Sequence, residues 1–185
     1  MPGNKNTERQ MITIKTERFI LRKFRITDAP AMYRNWTSVP AVARYCKWYP
    51  HRSVRETQAL LNTMYLNKYD PGYDFRWAIA TNRFSGPIGV IDVVSFSEDR
   101  TEVEIGYCLA PEYWDMGVMT ECVSAIIDYL FFCGFKKIKA KHHVDNPASG
   151  RVMEKCGMKF VRSGRETAKF DSDELCSVKY YEITR

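Results

Sequence analysis

The sequence predicts a mixed α/β domain, and three observations carry that prediction. Two strand-like runs, 75–80 and 88–96, are joined by turn residues that include Asn82, Ser85, Gly86 and Pro87. A third run follows at 103–109, so the middle of the chain reads as an antiparallel meander. The second half then alternates strand, helix, strand, helix, an order that requires a parallel pairing within a mostly antiparallel sheet. The helix expected over residues 120–133 is apolar nearly all round, with Glu121, Ser124 and Asp128 as a thin polar stripe. It must therefore be covered on most sides.

In chain order, residues 1–10 are polar and read as a flexible tail, which leaves 11–185 as a single domain. Residues 19–24, Phe-Ile-Leu-Arg-Lys-Phe, read as a strand. Thr27 and Asp28 then offer caps for a short helix carrying Met32, Tyr33 and Trp36. Ser53 and Glu56 form a capping box ahead of Leu60, Leu61, Met64 and Tyr65 at helical spacing, with that helix running to about residue 69. In the run 103–109 the odd positions Val103, Ile105, Tyr107 and Leu109 make an apolar face. The even positions Glu104, Gly106 and Cys108 leave a gap at the glycine. Residues 138–144 alternate as a strand, Asn146 and Pro147 open a helix with a cap and a first-position proline, and Gly157 closes it. Residues 160–161 and 175–183 are the closing strands.

Composition bounds the function. Of 185 residues, 45% are hydrophobic, 27% charged and 14% aromatic, an ordinary globular balance that excludes a disordered, collagenous or coiled-coil chain. No apolar run is long enough to span a membrane, and the polar N-terminus lacks the apolar core of a signal peptide, so a cytoplasmic protein is expected. The net charge of +6 suits an anionic partner, a phosphorylated small molecule or a nucleic acid. Its basic residues are scattered, however, and the densest cluster is only 136–141, so nucleic-acid binding rests on charge alone. Six cysteines, Cys46, Cys108, Cys122, Cys133, Cys156 and Cys176, show no metal-ligand spacing. They read as free, small apolar side chains, and no metal is expected. His142 and His143 are adjacent on a strand, point to opposite sides and make a poor ligand pair.

The chemistry concentrates where the strand 103–109 turns into the buried helix. A helix start presents unpaired backbone N–H groups and the positive end of a dipole, which together attract phosphate. The loop holds a single glycine, Gly117, so it is neither a dinucleotide fingerprint nor a P-loop.

This segment, WDMGVMTE, and the later DNPASGRVMEKCGMKF resemble the GNAT acetyltransferases, in particular the branch that acetylates ribosomal-protein serine or alanine termini. The N-terminal ERFILRKFRITDA and the segment around Ile88-Gly89-Val90-Ile91 fit that branch, so the resemblance spans residues 16–183. It implies a sheet splayed open between its fourth and fifth strands, helices on both faces, and acetyl-CoA in the gap. The pyrophosphate would lie on the amides of Met116, Gly117, Val118 and Met119, within a cofactor loop bordered by Trp114 and Thr120. The pantetheine would extend the strand edge at Tyr107, Cys108 and Leu109, and Asn146 and Ser149 would contact the cofactor. Trp114 and Met119 depart from the family's loop pattern, in which a Gln or Arg and a small residue stand.

Acetyl transfer to a primary amine needs a proton acceptor, because the amine is protonated at neutral pH, and a donor for the departing thiolate. Glu104 shares a face with Gly106, roughly 7 Å from a spot where a ligand can approach the backbone, and is the candidate base. A salt-bridged strand glutamate is the competing reading. Met153 stands where many family members carry a tyrosine acid, so the resemblance hands the leaving-group role to Ser149. A helix first-turn hydroxyl is its competing reading. Trp36, Trp48, Tyr49, Trp77 and Tyr113 are candidates for the acceptor cleft or for the core. The expected function is an acetyl-CoA-dependent N-acetyltransferase acting in a ternary complex on a protein N-terminus or a small amine, with a homodimer left open. The rival is a non-catalytic acyl-CoA-binding or regulatory module.

Overall fold

Eight strands form one sheet in the order β1-β2-β3-β4-β5-β6-β8-β7. They are β1 (Ile14–Lys15), β2 (Phe19–Arg22), β3 (Arg76–Thr81), β4 (Gly89–Phe96), β5 (Glu102–Leu109), β6 (Lys137–His143), β7 (Lys159–Thr167) and β8 (Leu175–Thr184). This computed structural model describes residues 12–67, 75–81 and 86–185. The expected tail at 1–10, the turn residues Asn82 and Ser85, and residues 68–69 of the second N-terminal helix lie outside the described residues. Every neighbouring pair is antiparallel except β5 and β6, which run parallel. The long helix α4 (Val118–Phe132) supplies the crossover between them.

The two faces of the sheet bury different sets of residues. On one face Trp77, Ile79, Ile91, Val103 and Ile105 pack against Cys122, Val123, Ile126, Ile127 and Leu130 of α4. Each such side chain, withdrawn from water, contributes about 1.5–3 kcal/mol. The helix α5 (Pro147–Lys155) joins this layer through Met153, which is 1% exposed. The other face carries Ala78, Val90 and Cys108 beneath Met32, Trp36, Val42, Leu61 and Tyr65 of the N-terminal helices. These are α1 (Ala29–Met32), α2 (Pro40–Ala43) and α3 (Val54–Leu60), with wide π-type turns at Tyr33–Thr37 and Leu61–Tyr65. In β4 the register against β5 shifts between Val93 and Ser95, so Val94 bulges out and stands exposed.

Several expectations change. The two-residue strand β1 carries too little pattern to be read, and it moves the splayed gap to between the fifth and sixth strands. Asp28 does not cap α1 through its side chain. Its carboxylate instead takes two hydrogen bonds from Arg22, at 2.8 and 2.9 Å, and one from the Arg25 amide at 2.8 Å. That pair is buried and fixes the exit from β2. Ser53 caps α3 as expected, accepting from the Glu56 amide, while the Glu56 carboxylate reaches the Arg52 amide. Trp36 and Trp77 are 2% and 0% exposed and belong to the core, not to a cleft. The closing strand expected at 160–161 extends to nine residues, β7, on the open edge of the sheet. Edge position explains why it shows no apolar face to read.

Candidate active site

The parallel ladder between β5 and β6 is short. It pairs Glu102 with Lys137, Val103 with Ile138 and Glu104 with Lys139, and then stops. From Ala140 onward β6 continues with β8, while β5 from Ile105 to Leu109 continues with β4 alone. The two strands thus diverge into a wedge whose β5 wall offers unpaired backbone N–H and C=O groups.

At the mouth of the wedge the chain leaves β5 through a short turn at Pro111–Tyr113 and reaches α4. Gly117 precedes the helix with φ 73°, a left-handed conformation that glycine adopts without steric cost. The first helical bond runs from the Glu121 amide to the Gly117 carbonyl at 3.1 Å, so the amides of Val118, Met119 and Thr120 precede the helical ladder. The side chains of Val118 and Met119 are buried in the core, which leaves only their backbones facing the mouth. Trp114 turns back and donates Nε1–H to the Leu109 carbonyl at 2.9 Å, fastening the loop to the end of β5. Met116 is exposed.

Arg18 was not anticipated from the sequence. Its Nε bonds Glu121 at 2.7 Å, its Nη1 donates to the Met116 carbonyl at 3.0 Å, and its Nη2 lies 3.6 Å from where a Gly117 Cβ would stand. Burial pushes the Glu121 carboxyl up, but hydrogen bonds from Thr16 and Arg18 outweigh it and leave the group below its ordinary pKa. A fixed guanidinium therefore flanks the amide cluster. Only the spacing of Arg18 before an apolar strand could have hinted at it, and that signal is weak.

On the opposite wall Asn146 caps α5 by accepting from the Ser149 amide at 3.3 Å. The Ser149 hydroxyl donates to the Tyr107 hydroxyl at 3.0 Å, and Tyr107 donates to the Ser149 carbonyl at 3.0 Å. Burial raises the Tyr107 phenol well above its ordinary pKa, against the pull of the Ser149 bond. The structure thus brings Tyr107, Asn146 and Ser149 together across the wedge, while Met153 is buried in the core.

Glu104 lies on the other face of β5 and is paired with Lys141 at 3.0 Å. Lys141 also meets Glu166 at 2.8 Å, and Glu166 meets Lys47 at 2.9 Å. Burial would raise the Glu166 carboxyl, yet hydrogen bonds from Lys141, Lys47 and Tyr180 hold it at about 2. Above this chain of charges the turn between β7 and β8 is fastened to the segment after α2. Lys169 Nζ donates to the carbonyls of Ala43, Cys46 and Trp48 at 2.8, 2.7 and 3.2 Å, and the Phe170 amide donates to the Lys47 carbonyl at 2.9 Å. Trp48 is part of this roof and Tyr49 lies under Lys169, while Tyr113 packs on the core beside α4.

A second carboxylate shares the Glu104 face. Asp92 on β4 accepts from Tyr65 at 2.9 Å through Oδ2, while Oδ1 is buried without a partner among the described residues. Burial pushes its carboxyl up to about 7, opposed by the Tyr65 bond and the Arg76 charge. Its signal in the sequence is a single acid inside the apolar run Val90-Ile91-Asp92-Val93.

The chain and its fold have counterparts among known proteins. Residues 18–159 match the family described as the acetyltransferase (GNAT) domain. The chain belongs to the GNAT acetyltransferase family. It is 29% identical over 145 residues to the uncharacterized N-acetyltransferase YoaA of Bacillus subtilis (strain 168), covering 78% of this chain and 81% of that protein. It is 28% identical over 158 residues to the uncharacterized N-acetyltransferase p20 of Bacillus licheniformis, covering 83% and 85%. A GNAT-family acetyltransferase from Bacillus anthracis superposes with a TM-score of 0.79 at 25% identity, over 94% of this chain and 98% of that one. RimL, a ribosomal L7/L12 alpha-N-protein acetyltransferase solved in complex with coenzyme A, shares the fold at 18% identity with a TM-score of 0.76. That alignment covers 94% of this chain and 98% of RimL. The protein is an acetyl-CoA-dependent acetyltransferase, and the amide cluster with Arg18 fits the polyphosphate that such a GNAT enzyme must hold. Among the described residues no helix is long and apolar enough to cross a membrane. None of their His, Cys, Asp and Glu form a group of three or more that could hold a metal ion.

Proposed function

We propose that this GNAT enzyme transfers the acetyl group of acetyl-CoA to a primary amine, a protein N-terminus or a small molecule, by direct attack in a ternary complex in the cytoplasm. The observation that carries the reading is the wedge itself, in which an unpaired strand edge leads to a left-handed glycine at the start of a long helix. Met116, Gly117, Val118, Met119 and Thr120 bind the pyrophosphate through backbone N–H groups, with Trp114 bracing the loop and Arg18 adding charge. The backbone of Tyr107, Cys108 and Leu109 pairs with the pantetheine as an added strand would, and Asn146 borders it from α5. Acetyl-CoA supplies an activated thioester. Glu104, kept in place by Lys141, takes the amine's proton directly or through a water. Ser149, whose hydroxyl donates to Tyr107 in this structure, turns that proton to the leaving sulfur when the thioester is bound.

RimL, an alpha-N-protein acetyltransferase of ribosomal L7/L12, supports a chain terminus as one acceptor. The experiment is thermal melting with CoA, together with thioester consumption across a panel of amines. CoA raises Tm by mass action in the wild type. In Gly117→Glu that rise vanishes, because a side chain and a negative charge enter the phosphate site. An unchanged rise in a folded Gly117→Glu protein overturns the assignment. A CoA rise with no thioester consumed by any amine favours a non-catalytic acyl-CoA-binding module.

A further inference from the structure

We infer that Glu121 is a positioning residue for the cofactor: it aims Arg18 at the pyrophosphate, so that an acid beside an anion site strengthens the binding of CoA. The inference rests on the placement of the pyrophosphate proposed above and adds to it a residue that acts through another.

From Pro111 to Glu121 the chain carries three acids, Glu112, Asp115 and Glu121, and no lysine or arginine. A loop that receives a pyrophosphate on its amides gains from losing such acids, because like charges repel. Glu112 and Asp115 are exposed, where water and salt screen them. Glu121 is half-buried in the first turn of α4, where screening is weaker, so charge alone would make it the most harmful of the three.

Its carboxylate is instead fully engaged by the segment that leads into β2. Oε1 accepts from the Thr16 hydroxyl at 2.6 Å and from the Arg18 amide at 2.9 Å, and Oε2 accepts from Arg18 Nε at 2.7 Å. The Phe19 amide donates to the Thr16 hydroxyl at 3.0 Å, which fixes that oxygen in turn. The guanidinium is therefore held by two nitrogens. Nε is on Glu121, Nη1 donates to the Met116 carbonyl at 3.0 Å, and Nη2 has no acceptor among the described residues. Nη2 is also the nitrogen 3.6 Å from where a Gly117 Cβ would stand. A free N–H of the guanidinium thus points beside the glycine from which the helix starts.

An arginine side chain has many rotamers, and ordering one on a ligand costs binding energy. Arg18 is 46% exposed, yet its planar fork, bonded at Nε and Nη1 and lying 5.1 Å from the Phe19 ring centre, leaves Nη2 a single direction. Glu121 supplies that order before the ligand arrives. An acid in a first helical turn also stabilises the helix through its dipole. That role alone predicts the opposite sign for the ligand: without the acid, the free protein melts lower and CoA binds as well or better.

Titration calorimetry with CoA near neutral pH reads the sign without turnover. In Glu121→Gln the side-chain carbonyl keeps the Thr16 and Arg18 amide bonds, while the NH2 group meets Arg18 Nε donor to donor. Kd for CoA rises about fivefold in this variant and about tenfold in Arg18→Gln. The double variant has no guanidinium left to aim and one acid fewer, so its Kd is no higher than that of Arg18→Gln. Arg18→Lys keeps the charge but cannot bond Glu121 and Met116 and still hold out a third fixed donor, so it weakens CoA as Arg18→Gln does.

An unchanged or lower Kd in folded Glu121→Gln overturns the inference. So does a further fivefold loss in the double variant, since the two residues would then act independently. Should Glu121→Gln fail to fold, Arg18→Lys decides: wild-type affinity there means that charge suffices without an aim, and overturns the inference. The underlying placement fails separately, when folded Gly117→Glu binds CoA as tightly as the wild type.

Discussion

The two faces of β5 do different work with the same eight residues. The odd positions Val103, Ile105 and Leu109 are sealed beneath α4, and Tyr107 ends that row at Ser149. The even positions Glu102, Glu104, Gly106 and Cys108 face the N-terminal helices, and the two acids among them are tied to lysines of β6. In the proposed assignment the groups on the cofactor side are backbone amides, whose positions depend on one left-handed glycine and a buried helix. Those on the proposed acceptor side are side chains, each with a particular charge. A site made of backbone tolerates substitution in its neighbours, so the proposal accommodates Trp114 and Met119 where the family has other residues. A site made of side chains tolerates little.

The contrast can be broken from either side. The largest effect after Gly117→Glu is expected at Glu104. Glu104→Gln preserves shape and removes the proton acceptor, so kcat drops on the order of a hundredfold. KM for acetyl-CoA stays within twofold, and activity partly returns at high pH, where solvent supplies more free amine. Wild-type turnover in this variant near neutral pH would assign the base to another group or to water alone.

A smaller loss is expected at Ser149, because in the proposed assignment Tyr107 would still border the sulfur when the serine is truncated. Ser149→Ala lowers kcat on the order of tenfold, and high pH does not restore it. A pH rescue like that of Glu104→Gln would show that both residues handle the same proton and would collapse the division between the faces. The smallest effect sharpens the acceptor side alone. Lys169→Met leaves three carbonyls without their shared donor and loosens the roof. It should raise KM for the amine a few fold, leave KM for acetyl-CoA unchanged, and speed protease cleavage within residues 168–174. Equal changes in both constants would mean that the roof braces the whole domain.

The cofactor half was legible in the sequence because its requirements are local. Gly117 marks the helix start, Asn146 and Pro147 mark the other, and the apolar run of α4 marks the element between them. The acceptor half was largely illegible because its members converge from far apart. Lys47 meets Thr167 and Glu166 across about 120 residues, and Tyr65 meets Asp92 across 27. Glu104 was singled out because it shares a short strand with Gly106, but its ion pair with Lys141 depends on which strand pairs with β5. Arg18 escaped for the same reason, since Glu121 is 103 residues away. The N-terminal helices were read too simply, because π-type turns at 33–37 and 61–65 interrupt the 3.6-residue period on which the reading depends.

The bulge at Val94 gives β4 three residues where β5 has two, between the pairs Val93–Ile105 and Ser95–Glu104. Removing Val94 would leave Val93 opposite Ile105, Ser95 opposite Glu104 and Phe96 opposite Val103, so the extra residue bends and twists β4 without setting its register. Its side chain lies over the strand beside it, 3.1 Å from where a Gly106 Cβ would stand. Related chains that lack one residue between 93 and 95 should therefore keep the same strand pairing, with a straighter β4 and an uncovered Gly106.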